Sequence, residues 1–168
     1  MPAIASPETG ALVAPLSGPP SLLSAAPTDW AWAAGFIDGE GCLSVYRQMR
    51  NGRPHHGPKL SVANTHLGSM ERLMEIIGGR LYTRTRAREV HVLYDLRLQG
   101  GRQLVPVINN LLPYLTVKRE EALVMLELCA RLRTGRAPVP TSEEELQARD
   151  ELCARLRGHK QRTPLPRS

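Results

Sequence analysis

The feature that most constrains this chain is a ten-residue stretch, Trp32-Ala33-Ala34-Gly35-Phe36-Ile37-Asp38-Gly39-Glu40-Gly41. It reads as a short helix of small and apolar residues that stops in Asp-Gly-Glu-Gly. Ala31, Ala34, Gly35 and Asp38 fall on one narrow face at helical spacing. Small side chains there let a second helix approach backbone to backbone. The glycines supply the freedom to end the helix and begin a strand. Asp38 and Glu40 stand at the helix terminus, so two packed copies would bring two acids from each to one place, as a two-fold metal site requires. An EF-hand does not fit, because the twelfth position from Asp38 is Met49, where a bidentate Glu is needed.

A chain of 168 residues suits one domain with tails. Its net charge of +6 and isoelectric point of about 9.7 suit a polyanionic partner. Cys42, Cys129 and Cys153 are an odd set without CxxC spacing, which fits free thiols in a reducing compartment. Residues 1–28 are rich in Pro, Ala and Ser, with Glu8 as their one charged side chain before Asp29, and read as a disordered tail. They hold neither a secretory n-region nor an Arg-rich transit peptide, and no apolar run reaches membrane-spanning length. The expected location is cytoplasmic, in a bacterial-type or organellar interior, without a membrane partner. Residues 29–158 read as the single domain and 159–168 as a basic flexible tail.

Thr28 or Asp29 is expected to cap the first helix, which runs to about Ile37. Cys42 to Met49 alternates, with Leu43 and Val45 on one side and Ser44, Tyr46 and Gln48 on the other. Residues 51–58 read as a loop, and Lys59 to Ala63 as the returning strand of a hairpin. Ser69 to Ile77 is helical, with Met70, Leu73, Met74 and Ile77 on one face. Leu81 to Thr85 and Val90 to Leu98 make a second hairpin. A short helix covers Leu104 to Leu112. A longer one covers Lys118 to Arg133, with Leu123, Leu126, Cys129 and Ala130 as its core stripe. Residues 134–141 link to a last helix, capped at Thr141 and ending near Arg157. The order predicts an α+β domain of αββαββα type, a four-stranded antiparallel saddle with helices on one face. Trp30 and Trp32 are expected in the core, and His55-His56 in the loop, facing solvent or phosphate.

The open sheet face can be named by strand parity. Residues 41–70 hold no acid but carry Arg47, Arg50, Arg53, Lys59 and three histidines. The second hairpin adds Arg84, Arg86, Arg88 and Arg97 against Glu89 and Asp95. Outward positions are Ser44, Tyr46, Gln48 and Arg50, then Lys59 and Ser61, then Tyr82, Arg84 and Arg86, then Asp95 and Arg97. Gln, Arg and Lys can pair with purine edges and Asp can accept from cytosine. Arg53, at the loop tip, suits a phosphate. A one-residue slip would exchange the faces of any strand.

Ala33 to Gly41, as A-A-G-F-I-D-G-E-G, resembles the motif of LAGLIDADG homing endonucleases, with Ala at the first position and Glu as the last acid. The resemblance covers roughly residues 29 to 158. It implies a site-specific double-strand DNA endonuclease that uses Mg2+ or Mn2+. Glu40 is then the metal ligand, with the carbonyl of Gly39 as a lesser candidate, and Asp38 caps and orients. Similar single-motif members carry a polar residue at the end of the second strand that positions water, which is Asn64 here. They also carry a basic residue after a Pro-aromatic-Leu stretch, and Pro113-Tyr114-Leu115-Thr116-Val117-Lys118 supplies Lys118. That lysine would stabilise charge developing on the phosphorane or activate solvent. Arg119 beside it suits a phosphate contact. A single motif without an internal repeat implies a homodimer, with Ala34, Gly35 and Asp38 at the interface, and a palindromic or pseudo-palindromic DNA site. The competing reading is a non-cleaving binder of DNA or intron RNA, or an intron maturase, on the same scaffold. A third is an unrelated basic α+β interaction domain.

Overall fold

Helix α1 (Pro27–Glu40) starts with a proline, whose missing N–H costs nothing in a first turn. In this computed structural model, residues 25–50, 52–84, 91–133 and 141–160 are described. The Asp29 carboxylate accepts from the Ala26 backbone N–H at 3.2 Å, so Asp29 serves the helix start from inside the first turn and the N-cap is Ala26, upstream of the expected Thr28 or Asp29. The helix also outlasts its expected end near Ile37. The Gly41 N–H still donates to the Ile37 carbonyl, which closes a last helical turn through Glu40. Gly41 itself has an ordinary extended backbone. It is needed for room, because a Cβ would lie 2.6 Å from the Ile37 carbonyl oxygen.

Strand β1 (Gly41–Arg50) follows directly and pairs antiparallel with β2 (Arg53–Asn64) from Gly41↔Val62 to Arg50↔Arg53. The expected eight-residue loop is therefore strand up to a two-residue connection, where Gly52 sits at φ 73. The Asn-Gly pair is a strong sequence signal for such a turn. Helix α2 (Leu67–Ile77) buries Met70, Leu73, Ile76 and Ile77. Then come β3 (Arg80–Arg84) and β4 (Leu93–Gln99), and the sheet order is β1-β2-β4-β3, antiparallel throughout. The expected strand ends at Thr85 and Val90 lie outside the described residues.

Helices α3 (Gly101–Leu111), α4 (Arg119–Arg133) and α5 (Glu143–Lys160) complete the chain. The core lies between the helices and the inward strand residues Leu43, Leu60, Val62, Leu81, Leu96 and Leu98. On α4 the buried residues are Ala122, Val124, Met125, Leu128 and Cys129. Leu123 is 40% exposed and Ala130 is exposed, contrary to the expected stripe. The helix packs between α3 and α5, so its buried surface is wider than one stripe and rotated. The α5 cap is Ser142, whose hydroxyl accepts from the Glu145 N–H at 3.2 Å, one residue past Thr141. His56 is 2% exposed and not a loop residue, because β2 turns it inward beneath α5. Trp30 is buried as expected. Trp32 is only half-buried, stacked on Phe36 with ring centroids 5.4 Å apart and covered by the Arg72 guanidinium at 4.3 Å. Among the described residues no helix is long and apolar enough to cross a membrane.

Candidate functional site

The last turn of α1 treats its two carboxylates differently. Asp38 accepts three successive backbone N–H groups, from Thr116 at 2.7 Å, Val117 at 3.1 Å and Lys118 at 2.9 Å. The anion lies beside the start of α4, where the Lys118 carbonyl takes the first helical bond from Ala122 and where a negative charge is favoured. Leu115, 5% exposed, anchors the same turn in the core, and the Arg119 guanidinium donates to the Leu112 carbonyl at 2.6 Å. Lys118 completes the lock, with its Nζ donating to the Asp38 carbonyl at 2.5 Å. Glu40, two residues on, is exposed at the end of the helix. Three elements thus meet there: the end of α1, the 112–118 turn and the root of β1.

Asn64 ends β2, and its Oδ1 accepts from the His66 N–H at 2.9 Å. Its carbonyl oxygen therefore shapes the turn into α2. Gly39 is exposed, with open space where a Cβ would stand.

The face of α1 proposed for close helix packing needs correction. Ala34 is 0% exposed within a single chain, beside Trp30, Ala33 and Ile37, so it belongs to the protomer core. Asp38 directs its carboxylate to its own chain's 116–118 segment. The open surface of the helix is Ala31, Gly35 and Gly39, and a Cβ on either glycine would meet nothing within 4 Å. Small residues line both the buried and the open sides of the helix, so their spacing alone does not tell the two apart.

The strand registers set the outward residues in rows. Cys42, Ser61, Arg97 and Arg80 share the row nearest the end of α1, and Ser44, Lys59 and Gln99 the next. Tyr46 lies flat on the backbone of Gly57 opposite, where any Cβ would collide with its ring. Gln48 is exposed. Arg50 and Arg53 pair across the hairpin end, and Arg86 lies outside the described residues. Ala63, Asp95 and Tyr82 form the row on the other side of the α1 end.

Asp95 is on the outward face as expected, where two arginines bind its carboxylate. One oxygen, Oδ2, receives Arg97 Nε at 2.9 Å, Arg97 Nη2 at 2.7 Å and Arg84 Nη2 at 2.8 Å. The Arg97 guanidinium also lies 4.9 Å over the Tyr82 ring. These neighbours leave Asp95 6% exposed. Burial pushes its carboxyl above the ordinary range, and the charges of Arg84 and Lys59 pull it part of the way back. Strand parity reveals the face of Asp95 but not that Arg97, two residues on in the same strand, and Arg84 of the neighbouring strand capture it. Beside this cluster Gly79, Arg80, Tyr82, Arg97, Gln99 and Gln103 line a cleft of about 320 Å³.

Among the described residues no three or more His, Cys, Asp or Glu side chains cluster as a metal site. At the end of α1 the chain offers two exposed hard-oxygen donors of the kind Mg2+ prefers, the Glu40 carboxylate and the Gly39 carbonyl.

No protein-family model matches the sequence, and no curated protein sequence matches it. Solved structures do share the fold. The homing endonuclease I-CvuI, in complex with the I-CreI target and Mg, superposes with a TM-score of 0.65 at 22% identity, over 84% of this chain and 86% of that one. The archaeal intron-encoded homing endonuclease I-Vdi141I, complexed with DNA, gives 0.65 at 20% identity, over 84% and 89%. The LAGLIDADG homing endonuclease I-GzeII, in complex with its DNA target, gives 0.58 at 15% identity, over 80% of this chain and 44% of that one.

Proposed function

We propose that this chain, which has the fold of LAGLIDADG homing endonucleases, acts as a homodimer that cuts both strands of a long pseudo-palindromic DNA site with a divalent metal. One observation carries this reading. Asp38 is held by three backbone amides and its carbonyl by Lys118 Nζ, while Glu40, in the same turn, is exposed. The catalytic unit would span residues 29–158.

In the dimer, Ala31, Gly35 and Gly39 let two copies of α1 approach, and each copy brings one Glu40 to the two-fold axis. Glu40 and the Gly39 carbonyl would hold Mg2+ or Mn2+. When bound, the metal polarises the scissile phosphate and lowers the pKa of a bound water. Lys118, held against α1, would place an ammonium where negative charge develops on the phosphate. The oxygen of Asn64 is engaged by His66, so its NH2 is the group it can offer a water. The outward rows would lie along the DNA. Ten residues of β1 separate its end from Glu40 by roughly 30 Å at ~3.3 Å each, or about nine base pairs at ~3.4 Å per step.

A non-cleaving DNA-binding or maturase role is favoured by one observation: Lys118 Nζ is bound to its own chain. That role would keep the basic face and need no metal. The two are separated by incubating the purified protein with a randomised double-stranded DNA library, in Mg2+ and in EDTA. Metal-dependent cuts at one long palindromic site are expected. Selective retention of DNA or of intron RNA without cuts would favour the binding role.

A further inference from the structure

Strand β4 pairs with β2 only over Lys59–Asn64, the last of its contacts being the Gly100 N–H to the Pro58 carbonyl. Beyond that row, β1 and β2 run on to Arg50 and Arg53 as a ribbon of two strands, with no third among the described residues. Such a ribbon is marginally stable in isolation, yet its outward positions include Tyr46, Gln48 and His55. Something must hold its angle to the sheet.

The inward side of the ribbon has one polar anchor. Arg47 and His56 face each other across the strands, and both reach Asp150 of α5. His56 Nε2 lies 2.9 Å from Asp150 Oδ1, and Arg47 Nη1 lies 3.8 Å from Oδ2. His56 is 2% exposed, and its Nδ1 has no partner among the described residues. The bond to Asp150 is thus the contact that satisfies a buried imidazole, and losing it would strand both ring nitrogens. One inward step further out, Met49 is 65% exposed, so the cover ends there. The helix that supplies Asp150 is itself fastened to α4. Glu145 accepts from Arg131 at 3.1 Å and Arg149 at 2.8 Å, Arg149 reaches the Arg131 carbonyl at 3.3 Å, and Arg155 donates to Glu127 at 3.1 Å.

From this geometry we infer that Asp150 and His56 are positioning residues for sequence recognition. Through them α5 fixes the β1–β2 ribbon, and with it the reading of the base pairs farthest from Glu40. The recognition half rests on the proposed DNA-binding function; the mechanical half does not. Neither residue touches DNA in this scheme, and their effect runs through Tyr46, Gln48 and His55 on the opposite side of the ribbon.

The test uses the full chain as wild type, Asp150→Ala and Asp150→Asn. Asparagine keeps an acceptor for His56 Nε2 and should rescue what alanine loses. Amide exchange is measured by segment, and base preference by selection from a randomised double-stranded DNA library. In Asp150→Ala, exchange over 45–50 and 52–57 should speed by about tenfold while 60–64 stays protected. Base preference should fall by about tenfold at the outermost positions of each half-site and hold near the dyad. Asp150→Asn should resemble wild type in both. Unchanged exchange in Asp150→Ala would overturn the brace, as would a uniform rise across the whole sheet, which marks a general stability role. Faster ribbon exchange with unaltered base preference would overturn its part in recognition. A wild-type protein that selects no sequence would instead sink the DNA-binding function, leaving the exchange data to judge the brace.

Discussion

The last turn of α1 and the outward sheet face both bind a carboxylate tightly, to opposite ends. At the helix end, Asp38 is taken up by the amides of 116–118, which fixes Lys118 and leaves Glu40 exposed. On the sheet, Asp95 is taken up by Arg84 and Arg97, which fixes those arginines and engages one oxygen of the acid. The lesson is that a carboxylate's role follows from its partners and not from its motif or its strand face. The acid held by donors is a scaffold, and the acid or base left beside it is the candidate for chemistry or recognition.

The hardest test of that contrast is to exchange one acid of the helix end for its amide. Glu40→Gln should lower cleavage by at least about 100-fold with folding and DNA affinity nearly unchanged. Loss of folding would mark Glu40 as a second scaffold. Asp38→Asn should do the reverse first, lowering stability by about 1–3 kcal/mol in denaturant melts, because an amide cannot accept all three N–H groups. Cleavage would then fall as a consequence of Lys118 moving, and an unaltered melt would contradict the capping role. Lys118→Ala should slow cleavage by about tenfold or more and weaken binding less. Equal losses would make Lys118 a phosphate contact.

On the sheet the effects are smaller and specific to position. Arg84→Ala should relax preference at particular base pairs by about 1–3 kcal/mol. Asp95→Asn should relax the same positions while tightening binding to random DNA, since it removes a negative charge from the face while freeing the arginines. A uniform loss of affinity in either variant would mean phosphate contact and not readout. The smallest effect is on acid stability. The Arg149 hydrogen bond lowers the Glu145 pKa, so this contact's stabilisation is present at neutral pH and lost as pH falls through that lowered pKa. Asp95 has the opposite sign, its raised pKa favouring the fold at low pH and ceasing to do so as pH rises through it. Glu145→Gln should therefore flatten the acid limb of a stability–pH curve, and Asp95→Asn should not.

Much of this arrangement is legible in the sequence. The apolar alternation of β1 and the helical spacing of α2 are local patterns, and they locate both elements and the outward face. The motif Ala33 to Gly41 indicates where the acids stand. What is not legible depends on residues distant in sequence. Asp38 is capped by residues 78 to 80 positions away, Asp95 is reached by Arg84 from the neighbouring strand, and His56 is buried by a helix 94 positions further on. The long β2 was hidden for a different reason. Pro54, Gly57 and Pro58 read as loop, but β4 leaves that stretch without a third strand, which is where prolines are tolerated.

The most direct measurement of a metal site shared between two chains is a mixed dimer. Wild type and Glu40→Gln are co-refolded in equal amounts and assayed for total strand scission of the selected site in Mg2+, nicks and double-strand cuts counted together. If both Glu40 side chains are needed at the two-fold axis, only wild-type pairs cut, and activity falls to about a quarter of the unmixed value at the same total protein. Activity at about half would mean that each chain cuts on its own, which contradicts a site built from two copies of α1.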